Sequence, residues 1–159
     1  MTSVMQPLHD EHVELLPHIE AMRGAAEAVA RGDAGARKQA QATLDFLDNH
    51  LHPHATAEEQ VLYPEVGRVM GAPDATKTMR RDHAEIAALR EELRSLLAGG
   101  GESLDLARVL FALHALVKLH FAKEEEVYVP ALAAALSAGE AKAMYERMEA
   151  AARAAHGHG

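Results

Sequence analysis

Two phrases of the chain carry the residues best able to do chemistry: HATAEEQVLYP, His54 to Pro64, and HFAKEEEVYVP, His120 to Pro130. In each, a histidine stands four residues before a glutamate, a second acidic residue follows, and a proline closes the phrase. Residues four apart on an α-helix project from one side, about 6 Å apart along the axis, so His54 pairs with Glu58 and His120 with Glu124. Such a pair can hold a cation on nitrogen and oxygen donors, or it can be a surface hydrogen bond worth a few tenths of a kcal/mol. The neighbours decide between the two. His54 and Glu58 continue the stripe Leu47, Leu51, then Val61 or Leu62, while His120 and Glu124 continue Leu106, Leu113, Leu116 or Val117, then Val127 or Tyr128. Both pairs therefore fall where a core is expected, and no Arg or Lys shares those stripes. A carboxylate buried without a partner is strongly unfavourable, and a cation between the helices is the economical remedy.

Matching donors exist elsewhere. His12 in DEHVEL and His83 in RDHAEI each follow an acidic residue and precede a glutamate by two positions. The chain thus reads as an internal duplication, with 71 residues separating His12 from His83 and 66 separating the two HxxxE pairs. Four histidines and two carboxylates on four inward faces suit two iron-class ions. In such a site Glu58 and Glu124 bridge, His12 and His54 bind one ion, and His83 and His120 bind the other. Zinc and manganese accept the same donors. Glu11, Asp82, Glu59 and Glu125 are candidates to orient the ligands, because metal-bound imidazoles usually donate their second N–H to an oxygen; the alternative is that they are solvated acids. Of the remaining histidines, His9 and His18 read as exposed, His50 and His52 as solvent-side or adjacent to the ligands, His114 as packed, and His156 and His158 as part of a flexible tail.

The elements that must position these residues are helical. Apolar residues recur every three or four positions and Ala, Leu, Glu, Arg and Met dominate, with no credible strand. The expected helices run from about Val4 to Ala30; from about Ala34 to the GAPD at 71–74, where Asp74 would cap the next; from there to the glycines at 99–101; from a Ser103 cap to about Leu136; and from Glu140 to about His156. The expected architecture is all-α: an up-and-down antiparallel four-helix bundle over 1–136, with a C-terminal helix and tail over 137–159 that caps the bundle or pairs with another subunit. Pro17, Pro53, Pro64 and Pro130 fall inside these helices, so kinks are expected, and the first helix could break around Pro17.

Composition narrows the function classes. The 159 residues fit one domain with a real core, and 48% hydrophobic residues exclude a disordered acidic chain. A net charge of −8 disfavours nucleic acid and anionic membranes as partners. Zero cysteines exclude disulfides, thiolate zinc sites and iron–sulfur ligation. The N-terminal MTSVMQPLHDEH lacks the basic start and apolar core of a signal peptide, which leads to the expectation of a cytoplasmic protein, monomeric or homodimeric.

The four elements His12, His54-x-x-x-Glu58, His83 and His120-x-x-x-Glu124, in this order, resemble the hemerythrin-like, or HHE cation-binding, family over roughly residues 8–133. The resemblance implies a bundle enclosing an oxo- or hydroxo-bridged di-iron centre, in relatives that bind dioxygen, sense oxygen or iron, bind nitric oxide or act on peroxide. Oxygen-carrying members use a fifth histidine one turn from the third-helix ligand, where this chain has Met79 and Ala87, and their last ligand is commonly Asp at longer spacing rather than Glu124. That departure turns the expectation from reversible oxygen carriage towards redox or peroxide chemistry, with an iron or oxygen sensor or store as the competing reading. Tyr128, one turn beyond Glu124, is the candidate to donate a hydrogen bond beside the metals, or else simply to pack there.

Overall fold

The computed structural model describes residues 3–156, and every regular element among them is helical. The tail position His158 lies outside the described residues. Helix α1 is Gln6–Arg31, α2 spans 36–70, α3 is Lys77–Gly99, α4 spans 103–135 and α5 is Ala138–His156. Helix α1 packs on α2 and α4, and α3 packs on the same two, which closes the square of an up-and-down bundle. Helix α5 lies against the middle of α2, over residues 52–62. The turns are short because left-handed glycines stop the helices abruptly: at Gly32 (φ 70°) and Gly71 (φ 61°) the chain reverses, with Asp33 N–H and Ala72 N–H bonded back to Ala28 and Gly67 carbonyls.

Helices α2 and α4 are continuous rods interrupted by wide π-turns rather than by breaks. The π segments are Leu47–Leu51, Glu58–Leu62 and Glu124–Tyr128, each closed by a bond spanning five residues: His52 N–H to Leu47, Tyr63 N–H to Glu58 and Val129 N–H to Glu124. Pro53, Pro64 and Pro130 follow directly, in the first turn of the next α segment. A proline lacks the N–H for the carbonyl four residues back and its ring collides with it, so a wider turn relieves the conflict. Pro17 needs no such turn and α1 is unbroken across it. Both Pro17 and Val13, whose carbonyl loses its donor, are exposed to water.

The helix starts differ in detail from the sequence reading. Helix α3 begins at Lys77 after Thr76, and Asp74 instead accepts the Lys77 N–H on its main-chain carbonyl in the preceding turn. Glu102, not Ser103, occupies the cap position of α4. Helix α5 starts earlier than Glu140, behind Ser137, whose hydroxyl and N–H both donate to the Glu140 carboxylate at 2.7 and 2.8 Å. On the faces, Leu16 and Val127 point outward, at 41% and 48% exposure, and Leu15 and Tyr128 hold the inward positions beside them.

The core consists of two apolar clusters. One gathers Leu15, Ile19, Leu47, Leu51, Leu93, Leu113 and Val117; the other gathers Met5, Leu8, Leu62, Tyr63, Met79, Tyr128, Leu132 and Met144. Along each of the four bundle helices the change from one cluster to the other occurs around a histidine: His12 lies between Leu8 and Leu15, His54 between Leu51 and Ala57, His83 between Met79 and Leu89, and His120 between Val117 and Tyr128. A polar layer therefore divides the bundle interior.

Candidate metal centre

That layer contains His12, His54, Glu58, His83, His120 and Glu124, all buried, with both glutamates at 0% exposure. Ligand atoms of His12, His54, Glu58 and Glu124 lie within 4.8 Å of one another, as do those of Glu58, His83 and His120. Glu58 belongs to both groups and points one oxygen to each: Oε1 lies 2.8 Å from His54 Nε2 and Oε2 lies 3.3 Å from His83 Nε2. Glu124 likewise sits between His12 Nε2 at 3.5 Å and His120 Nε2 at 3.3 Å.

The outward nitrogens are held just as consistently. His12 Nδ1 meets Glu125 at 2.6 Å, His54 Nδ1 meets Glu11 at 2.9 Å, His83 Nδ1 meets Glu59 at 2.9 Å and His120 Nδ1 meets Asp82 at 3.0 Å. Each carboxylate comes from the helix preceding that of its histidine around the bundle, so α1 serves α2, α2 serves α3, α3 serves α4, and α4 serves α1. A carboxylate accepts only, so each Nδ1 carries the proton and each Nε2 turns a lone pair inward. This is the arrangement that fixes a metal-binding imidazole in its tautomer and raises its basicity.

The inward atoms satisfy one another poorly. Among the described residues, His12 Nε2, His54 Nε2, both oxygens of Glu58 and Glu124 Oε2 are buried with no well-aligned hydrogen bond, the 2.8 Å approach of His54 Nε2 to Glu58 Oε1 included. His83 Nε2 and His120 Nε2 stand 3.0 Å apart, a separation that two lone pairs tolerate only with an extra proton or a cation between them. The electrostatics point the same way. Burial disfavours charge on His54, but the Glu58 and Glu11 carboxylates outweigh it and hold this imidazole well above its usual range. Burial opposes ionisation of Glu58 too, and the charge of His54 and the surrounding imidazoles hold it well below the usual carboxylate range. Protons thus stand in for positive charge that the donor set is built to receive, and the residues present fit a pair of metal cations sharing Glu58.

Tyr63 is the residue of this site that the sequence reading missed. Its hydroxyl donates to Glu124 Oε1 at 2.8 Å and lies 3.2 Å from both His83 Nε2 and His120 Nε2. Tyr128 is placed otherwise: its hydroxyl donates to the Ala75 carbonyl at 3.0 Å, away from the donor set. The reason is the π-turn. A turn that closes over five residues aligns Glu58 with Tyr63, whereas counting in fours pairs Glu58 with Leu62 and Glu124 with Tyr128. A proline directly after the tyrosine was the available signal. The other histidines stay outside the donor set. His9 shares Glu125 at 2.8 Å, His18 stacks on Phe46 beside His50, His52 is exposed, His114 is half-buried near Glu20, and His156 is exposed.

A four-helix bundle divided by a buried imidazole–carboxylate layer, with the unshared donor atoms turned inward, defines a helical cation-binding protein. The chain belongs to the hemerythrin HHE cation binding domain family, whose profile matches residues 4–104 and again 74–158. The two matches start at 4 and 74, an interval that agrees within one residue with that from His12 to His83 and so follows the internal duplication. Among curated proteins, the chain is 30% identical over 102 residues to the iron-sulfur cluster repair protein YtfE of Edwardsiella ictaluri, covering 64% of this chain and 41% of that one. It is 29% identical over 98 residues to the proteins of the same name from Pectobacterium carotovorum and Pectobacterium atrosepticum, covering 60% of this chain and 44% of each relative. The chain thus spans less than half the length of these relatives. No solved structure gives a significant match. No described helix is long and apolar enough to cross a membrane.

Proposed function

We propose that the buried layer holds two iron ions with an oxo or hydroxo bridge, and that the protein binds dioxygen or a related small oxidant, peroxide or nitric oxide, in redox or oxidative-stress chemistry in the cytoplasm. The observation that carries the reading is the set of five buried ligand atoms without a well-aligned hydrogen bond among the described residues, on side chains whose outer imidazole nitrogens are each fixed by a carboxylate. His12 and His54 would hold one ion and His83 and His120 the other, with Glu58 and Glu124 between them. Iron supplies the one-electron and oxygen chemistry. The chain supplies the rest. The four acidic residues fix every Nδ1–H outward so that Nε2 is the atom facing a cation, the two apolar clusters flank the layer, and Tyr63 offers a single hydroxyl proton at Glu124 Oε1.

The relatives named as iron-sulfur cluster repair proteins favour a second reading, in which the centre stores or releases iron rather than turning over an oxidant. The test is metal content together with the visible spectrum of aerobically purified protein, before and after dithionite. Two irons per chain, with near-ultraviolet absorption that bleaches on reduction, is the expected result. Colourless protein without iron, even after anaerobic loading, would overturn the di-iron reading. Peroxide turnover by the iron form, abolished in His54→Ala, separates an enzyme from a store.

A further inference from the structure

The duplication is symmetric in its ligands and asymmetric in the charges behind them. On the His12/His54 side, Glu11 holds His54 and has no Lys or Arg partner among the described residues, while Glu125 holds His12 and is met from outside only by His9, at 2.8 Å. On the His83/His120 side each orienting carboxylate carries a permanent cation. Lys123 pairs with Asp82, the acid behind His120. Arg80 stands behind His83, its Nη1 3.6 Å from Glu59 Oε2 and its Nη2 donating to the Glu59 carbonyl at 3.1 Å. The same guanidinium lies 5.4 Å over the ring of Tyr63, whose hydroxyl reaches the His83 and His120 nitrogens.

A carboxylate behind a ligating imidazole strengthens the metal bond by raising the basicity of the inward nitrogen. A cation on that carboxylate takes much of this back, and it also repels a second positive charge nearby. Both effects weaken the same half. Glu58 and Glu124 each reach imidazoles of both positions, so the inward donors are alike and the charges behind them are what differ.

We propose that Arg80 and Lys123 are positioning residues that make the two cation positions unequal: the His12/His54 position fills first and tightly, and the His83/His120 position fills second, weakly and exchangeably. This rests on the reading that the layer holds two ions. It goes beyond that reading in assigning an order of filling and the residues that set it.

The test is anaerobic calorimetric titration of the full chain with ferrous iron at pH 8. Two resolved steps are expected in the wild type. The double variant Arg80→Gln, Lys123→Gln is expected to tighten the second step by about tenfold and leave the first unchanged. Arg80→Lys with Lys123→Arg, which keeps both charges, should restore wild-type spacing, a rescue that a merely structural role would not show. Two equivalents bound in a single unresolved step, or a double variant that shifts neither step or both equally, would overturn the assignment while leaving the two-ion reading intact. Uptake of one equivalent or none would overturn the two-ion reading and the order with it.

Discussion

Replacing Tyr63 by Phe removes one oxygen from the wall of the polar layer and leaves the packing untouched. Tyr63 is 1% exposed, so water cannot take the place of its hydroxyl. The bond it donates to Glu124 Oε1 is 2.8 Å long, and Glu124 Oε2 is already without a partner. In Tyr63→Phe both oxygens of this buried carboxylate lack a hydrogen bond. A bond to a charged group is worth about 1.5–3 kcal/mol, so the metal-free variant is expected to lose about 2 kcal/mol. For a chain of this length that corresponds to a fall in Tm of about 4–8 °C. With cations bound to Glu124 the lost donor is largely replaced, and the difference from wild type is expected to shrink below about 1 kcal/mol. Tyr128→Phe provides the contrast, because it loses only a neutral bond to the Ala75 carbonyl, worth about 1 kcal/mol with or without metal. The assay is thermal or urea unfolding of both variants, chelated and metal-loaded. An equal loss in the two states for Tyr63→Phe, or a larger loss for Tyr128→Phe, would refute the placement of Tyr63 at the centre.

Four further outcomes follow from the same geometry. Glu11→Gln keeps an acceptor for His54 Nδ1 but removes its charge, and cation affinity measured by chelator competition is expected to fall about 10–100-fold with helicity unchanged. Stripping metal should lower Tm, since an ion bound only by the folded chain stabilises by about 2.7 kcal/mol at a hundredfold excess over Kd; a Tm indifferent to metal would place binding outside the fold. At the start of α5, the Ser137 hydroxyl and N–H hold the Glu140 carboxyl below its usual range. A depressed folded pKa means that this contribution is full above about pH 4.3 and lost as pH falls through the folded value, so amide protection factors in the first turn of α5 should fall in acid, and Ser137→Ala, which removes the hydroxyl but keeps the N–H, should weaken that dependence. Gly71→Ala forces a side chain into a left-handed turn at φ 61° and is expected to cost about 1 kcal/mol in urea unfolding without changing cation capacity.

The sequence by itself determined the helical class and the donor types. Periodicity marked the inward stripes, and histidine and glutamate interrupting them at His54, Glu58, His120 and Glu124 are conspicuous because apolar residues surround them. The acids next to the ligands, Glu11, Glu59, Asp82 and Glu125, were also legible, because an imidazole bound through one nitrogen needs an acceptor for the other. What spacing along one chain cannot contain is contact between helices. Which acid holds which histidine depends on the order of helices around the square, and so does the meeting of Lys123 with Asp82 and of Arg80 with Glu59 and Tyr63. Only the tertiary structure decided those pairings. It also decided the phase within a helix. The prolines announced trouble, but whether the chain kinks, breaks or widens its turn depends on what surrounds it. Pro17 faces water and passes through an ordinary helix, while Pro64 and Pro130 adjoin π-turns that begin at the two buried glutamates. Each wide turn inserts one residue into the count, and that single residue moves a tyrosine into the layer at Tyr63 and leaves Tyr128 on a backbone carbonyl.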